Sequence, residues 1–300
     1  MRLKADLTLL LVAMIWGSAF TAQRVAAANI GPFLFNGCRF LLGGLILLPL
    51  VRFRLEIDRR TWPWVGLAGL LLCLASVLQQ AGLRWTTAGN AGFITGLYVV
   101  IIPLLLLVIW RQHVGWMTWA ATLLATGGIF LISSGGKFEL APGDSLELIG
   151  ALLWAAHIIL VGRLMQRVEA VSFSVGQFFV AGVLNLVLSV LFDWQTASGL
   201  ITAWWTVAYV GIFSTAGGYT LQAIGQKHAQ PTDAALILSL EAVFAAVFGF
   251  LLLGEMMEAG QLLGCALIVG ALVLSQIRPV VLHEQPPAHL DVTDSESNSA

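Results

Sequence analysis

Residues 85–110 read WTTAGNAGFITGLYVVIIPLLLLVIW, with no charged side chain from Trp85 to Trp110. A soluble helix would interrupt such a run with a polar face every turn. An uncharged run of about 20 residues instead matches the hydrocarbon thickness of a bilayer. Outward from this stretch the pattern repeats. Charge is also absent from Leu7 to Gln23, Trp62 to Leu83, Val114 to Ser134, Ala170 to Phe192, Trp194 to Gln226 and Ala259 to Ile277. Three further runs hold one ionisable side chain each: Arg39 in Ile30–Val51, His157 in Leu148–Gly162 and Glu241 in Ala234–Gly254. The Trp194–Gln226 run is counted as one span, so the reading is ten transmembrane helices in an all-α integral membrane protein. Only a helical bundle satisfies the backbone of spans this dense.

Composition agrees. Hydrophobic residues make up 58% and charged ones 10% of the 300, with mean hydropathy +0.89, against roughly a quarter charged in a soluble domain. The basic residues set an orientation. With Met1 in the cytoplasm, Arg2, Lys4, Arg52, Arg54, Arg59, Arg60, Arg111, Arg163, Arg167, Lys227 and Arg278 lie inside, Arg84 and Lys137 outside, and Arg24 and Arg39 within spans. Such a bias places both termini in the cytoplasm. Arg2 and Lys4 followed by Ala26-Ala27-Ala28 also fit a cleaved signal peptide, but the repeat described next needs span 1 in place. Cys38, Cys73 and Cys265 lack metal or redox spacing. The tail 279–300 is polar, with Glu284, Asp291, Asp294 and Glu296 and no Lys or Arg beyond Pro279, and reads as a disordered cytoplasmic segment.

The first five spans recur in the second five. At an offset of 138, Trp16 matches Trp154, Phe35 Phe173, Phe40 Phe178 and Gly44 Gly182. At 143, Trp62 matches Trp205, Gln79 Gln222, Gly82 Gly225, Leu97 Leu240, Val100 Val243 and Gly127 Gly270. Five is odd, so the second half enters the membrane from the opposite side: a 5+5 inverted repeat, with units 5–135 and 145–278. Inverted repeats are an architecture of secondary transporters, with the solute site near the midplane between the halves.

Ala13-Met14-Ile15-Trp16-Gly17-Ser18-Ala19-Phe20 with Arg24 resembles the first-span signature of the EamA-type family of the drug/metabolite transporter superfamily. Pro32 with Arg39-Phe40 is similar to its second-span pattern. Ser239-Leu240-Glu241, Leu253-Gly254-Glu255, Gly264 and Gly270 resemble its C-terminal signature. The resemblance spans about residues 5–278 and implies a ten-helix carrier in a bacterial inner membrane, of a group whose members often export amino acids, other metabolites or toxic compounds. Ala242 replaces the proline usual after the span-9 Glu, which removes one reason for a kink there.

Ionisable groups in a membrane cost about 2.5–3.5 kcal/mol each on insertion scales, which singles them out. Glu241 is the sharpest: a solute ligand or proton-coupling site, or a packing carboxyl. Its repeat partner is Tyr98, expected to face it across the axis. Mid-span Trp16 and Trp154 form cavity walls or core. Gln79 and Gln222 bind solute or bond between helices. His157, one turn from Trp154, is a satisfied core residue, a ligand or a proton relay. Arg39 and Arg24 snorkel to the interface, or capture an anionic group near the outer mouth. Gly92-x-x-x-Gly96 is a close-packing motif, between halves or protomers, so a homo-oligomer is open.

No Walker, H-E-x-x-H or Gly-x-Ser-x-Gly motif is present. The expectation is not an enzyme, no cofactor, no metal, no nucleic acid, and a small-molecule substrate carried by alternating access with proton coupling open. A lipid-modifying enzyme would need convergent acid, nucleophile or metal residues at one face. A membrane scaffold would need large soluble segments. Neither feature is found in the sequence.

Overall fold

A computed structural model describes residues 2–86, 88–134, 141–253 and 258–276. Lys137, Gly254–Glu255 and the acidic tail lie outside these residues. The first half comprises α1 (Arg2–Asn29), α2 (Pro32–Leu47, continued by a 3-10 turn at Leu48–Val51), α3 (Trp62–Gly82), α4 (Ala88–Gly96), α5 (Tyr98–Trp110) and α6 (Trp116–Ser134). The second comprises α7 (Asp144–Leu164), α8 (Ala170–Phe192), α9 (Gly199–Tyr209), a π-helical segment (Val210–Tyr219), α10 (Thr220–Gln226), α11 (Pro231–Leu238), α12 (Glu241–Leu253) and α13 (Ala259–Gln276). Taken as spans, nine described helical stretches are long and apolar enough to cross a membrane, and a shorter apolar helix at Ala259–Ser275 makes the tenth.

Local chemistry starts these helices. Proline stands in the first helical turn of α2, α3 and α11, where its missing N–H costs nothing. Glu169 caps α8, its carboxylate accepting from the N–H groups of Val171 and Ser172. The α2 N-terminus is served from the other half: Asp193 accepts from Phe33 N–H at 2.8 Å and Leu34 N–H at 3.2 Å.

Repeat-related helices pack on each other. In the α2–α8 contact, Gly37 meets Leu186, Leu41 meets Gly182 and Gly44 meets Phe179. Each pair of numbers sums to 223, so the helices run antiparallel. Phe40 and Phe178, repeat partners, stack at 6.1 Å. Likewise α6 and α13 cross where Gly128 meets Ile268 and Ile132 meets Gly264, both summing to 396. A Cβ on Gly128 would lie 2.6 Å from the Gly264 carbonyl oxygen, and one on Gly264 would lie 2.6 Å from that of Gly128. Small residues allow this approach, because packing, not the hydrophobic effect, joins helices in lipid. The Gly92-x-x-x-Gly96 motif is used within the first half instead, with Gly96 against Ile129 of α6.

Spans 4 and 9 are interrupted at the same place. The helix breaks at Leu97 between α4 and α5, and at Ser239–Leu240 between α11 and α12. Leu97 N–H bonds Ile94 C=O, and Leu240 N–H bonds Ile237 C=O, each at 3.1 Å. These two bonds are themselves 143 residues apart. The break in span 9 thus forms without a proline after Glu241, and that in span 4 lies six residues before Pro103.

Two sequence expectations change. Glu147, one residue outside the Leu148–Gly162 run, belongs to the first turn of α7 and is fully buried. Arg39 does not snorkel: it is 1% exposed, its Nε donates to Asn36 Oδ1 at 2.7 Å, and its guanidinium lies 4.6 Å over the Phe40 ring.

Candidate functional site

The helix breaks deliver Tyr98 and Glu241 to the first positions of α5 and α12. Gly17 brings α1 onto α12 there: a Cβ on it would lie 2.7 Å from the Glu241 carbonyl oxygen. Trp16, beside Gly17, is thereby held at the same level, its indole N–H donating to the Ser214 carbonyl at 3.2 Å. Ser214 belongs to the π-helical segment, a local distortion that often marks functional sites.

These elements line a small cavity of about 40 Å³ between the halves. Trp16, Gln79, Tyr98, Trp154, Gln222 and Glu241 all line it, as do Arg39, Thr95 and Tyr219. The Tyr98 hydroxyl donates to Glu241 Oε1 at 3.2 Å. Gln79 donates to Thr95 Oγ1 at 3.3 Å. His157 stands apart from the other expected residues. It lies behind the wall, bonded through Nε2 to Gln177 Oε1 at 2.9 Å and edge-on to Trp154 and Tyr219.

Tyr219 was not singled out in the sequence. Its ring stacks on Trp154 at 6.0 Å and lies 4.9 Å from Trp16, so it bridges the two repeat-related tryptophans. Among the described residues Arg39 has no carboxylate within ion-pairing distance, the one ion pair being Arg2–Asp233 at 3.3 Å. An unpaired buried cation is costly, and here it faces a cavity. Two buried polar atoms of the wall, Trp154 Nε1 and Gln222 Oε1, also have no hydrogen-bond partner among the described residues. The cavity therefore offers a guanidinium, a carboxylate, a free N–H donor and a free amide acceptor within aromatic walls.

No group of three or more His, Cys, Asp or Glu able to hold a metal occurs among the described residues.

The sequence profile described as the EamA-like transporter family matches residues 3–134 and 141–276, once for each half. The chain is 32% identical over 281 residues to an "Uncharacterized transporter" of Archaeoglobus fulgidus, covering 92% of this chain and 87% of that protein. It is 28% identical to the "Uncharacterized transporter YwfM" of Bacillus subtilis, covering 90% and 93%. It is 24% identical to the "Uncharacterized inner membrane transporter YedA" of Escherichia coli K12, covering 95% and 94%. A solved structure titled "Crystal structure of protein" shares the fold, with TM-score 0.76, 19% identity and coverage of 92% and 97%. The chain belongs to the EamA-like transporter family, and is a multi-pass membrane transporter rather than an enzyme.

Proposed function

We propose that this chain is a secondary carrier that exports a small zwitterionic metabolite such as an amino acid, from the cytoplasm across a bacterial inner membrane. The observation that carries the reading is the pairing of Arg39 and Glu241 on one aromatic-walled cavity at the contact of two repeat-related halves. A guanidinium suits a carboxylate bidentately, and a buried carboxylate suits an ammonium. Trp16, Trp154 and Tyr219 supply apolar walls for a side chain. An inverted arrangement of the halves is supported by five spans in each and by the antiparallel contacts of α2 with α8 and α6 with α13. Both termini then face the cytoplasm, following the basic residues. Access alternates as one half rocks against the other. Glu241 couples a proton to this cycle, since a carboxyl facing first one side and then the other can load and release one.

The test is counterflow in proteoliposomes with a mixture of the twenty amino acids as probe. Wild type exchanges one or more of them, and Arg39→Gln does not. Glu241→Gln retains weakened exchange and loses accumulation driven by a pH gradient. Exchange that persists unchanged in Arg39→Gln would rule out the carboxylate role. A wild type that exchanges none of the mixture would move the substrate class elsewhere.

A further inference from the structure

The two halves differ at one place just behind the cavity wall. Gly82 and Gly225, repeat partners at an offset of 143, each make room for a side chain from the first span of the opposite half. A Cβ on Gly225 would lie 2.8 Å from Leu9 Cγ, and one on Gly82 would lie 2.6 Å from Glu147 Oε1. Leu9 and Glu147 are themselves repeat partners at 138. The neighbour of Glu147 is Thr95, whose partner at 143 is Leu238. A leucine pair at the N-terminal face of the molecule is thus replaced at the other face by a carboxyl and a hydroxyl.

The carboxyl is poorly served. Glu147 is fully buried, and the Thr95 hydroxyl donates to its Oε2 at 3.0 Å, while Oε1 has no partner among the described residues. An ionised carboxylate has about four acceptor sites to fill, and leaving them empty away from water is costly. A proton on Oε1 removes the cost. Nothing larger is accommodated, because Gly82 closes on that oxygen. From Glu147 the contacts run directly to the solute cavity: Thr95 accepts from Gln79, and both line it.

We infer that Glu147 is a second proton-binding site of the carrier, lying toward the face opposite the N-terminus and linked to the solute cavity through Thr95 and Gln79. The inference rests on the carrier reading above and adds to it a proton acceptor distinct from Glu241. The proton comes from water at that face, forms an O–H bond at Oε1, and returns to the same water on release. Ionised Glu147 holds the Thr95 hydroxyl proton. Protonated Glu147 holds it on a neutral C=O, a weaker acceptor, which frees the hydroxyl to donate into the cavity more often, so proton binding changes the donors a solute meets.

The titratable group that acts on Glu147 is Asp144 on the same helix, one turn nearer the surface, where it accepts from the Ala141 N–H and the Thr86 hydroxyl. Other packed elements contribute little charge. α3 presents Gly82, and the exposed Arg84 beyond its end acts on Asp193. α4 presents Thr95 and α5 Tyr98. α10 presents Gln222 and Gln226. Asp233 of α11 pairs with Arg2 at the opposite face.

Infrared pH-difference spectra of the purified protein in lipid vesicles, without solute, test this directly. Wild type shows a carboxylic-acid C=O band that titrates and that Glu147→Gln deletes, while Glu241→Gln leaves it. Thr95→Val keeps the band and shifts its frequency by removing its hydrogen bond, which serves if Glu147→Gln folds poorly. An unchanged spectrum in Glu147→Gln, or an unshifted band in Thr95→Val, overturns the proposal. Amino-acid counterflow reports separately on the carrier reading. Loss of counterflow in wild type would sink that reading without altering the infrared result.

Discussion

The Tyr98 hydroxyl donates to Glu241 Oε1 at 3.2 Å across the contact of the two halves. The residues are 143 apart in sequence, the offset that relates spans 4 and 9. Each follows a break in its span, so two equivalent distortions place unlike side chains face to face. The hydroxyl is the side-chain donor that holds the carboxyl in place. Tyr98→Phe is therefore expected to lower thermal stability by about 0.6–1.7 kcal/mol, the range of interhelical bonds in lipid. Glu241→Gln keeps an acceptor and should lose less. Thermal unfolding in detergent compares the two. Equal losses would show that the bond does not hold the site.

The repeat-related tryptophans should behave differently. Trp16 Nε1 is bonded to Ser214, whereas Trp154 Nε1 has no partner among the described residues and its ring lines the cavity. Trp16→Phe breaks a bond between α1 and the π-helical segment and should cost about 0.5–1.5 kcal/mol of stability. Trp154→Phe should spare the fold and raise the transport KM by up to about tenfold, if its N–H serves the solute. Melting curves and counterflow titrations of both variants decide it. Destabilisation of Trp154→Phe with unchanged KM would make that ring core.

Much of this was legible in the sequence because identical residues at a fixed offset reveal symmetry. The halves and the cavity residues Trp16, Gln79, Trp154 and Gln222 came from that signal, while the spans came from uncharged runs, Glu241 from charge inside one, and Tyr98 from its place opposite Glu241. What it hides is asymmetry. Tyr219 has Ser76 as its partner at 143, Arg39 has Gln177 at 138, and Glu147 has Leu9. None of these pairs scores as a match, yet each decides what the cavity or its surroundings hold. Glu147 was further concealed by its place in the first turn of α7, just before the uncharged part of that span. Arg39 stood out as charge inside a span, but whether it snorkels depends on packing: Phe35, Phe40 and Asn36 hold it in.

The crossing of α6 with α13 is set by Gly128 and Gly264. Gly128→Ala places a methyl 2.6 Å from a backbone carbonyl that cannot rotate away. Overpacking of this kind costs about 1–3 kcal/mol. Gly127→Ala, one residue earlier, meets nothing within 4 Å and is expected to be neutral. Comparing their unfolding midpoints tests the crossing, and similar midpoints would refute it.

Asp193 ties the two halves at the α2 N-terminus. Asp193→Ala removes the acceptor for two N–H groups and should cost about 0.5–2 kcal/mol, whereas Asp193→Asn keeps an oxygen there. Burial pushes the Asp193 carboxyl above the ordinary carboxylate range, while the Phe33 and Leu34 N–H groups and Arg84 pull it down. The fold then binds this proton more tightly than the unfolded chain. Its contribution to stability is complete below the unfolded value and declines as pH rises through the raised one. Stability measured across that interval should fall with pH in wild type, and the fall should be smaller in Asp193→Asn. Parallel curves would exclude the carboxyl as its source.

Arg39 gives the sharpest conflict between stability and function. A guanidinium 1% exposed, hydrogen-bonded to Asn36 and with no counter-charge among the described residues, burdens the empty carrier. Replacing buried charge by an apolar side chain of similar length stabilises proteins by about 1–4 kcal/mol in favourable cases. Arg39→Met should therefore raise the melting temperature while removing exchange of carboxylate-bearing solutes. Arg39→Lys keeps the charge, loses the planar fork, and should retain weakened exchange. Melting curves and amino-acid counterflow, read on the same preparations, separate the outcomes. A variant that is less stable and still transports would mean that Arg39 supports the fold and does not meet the solute.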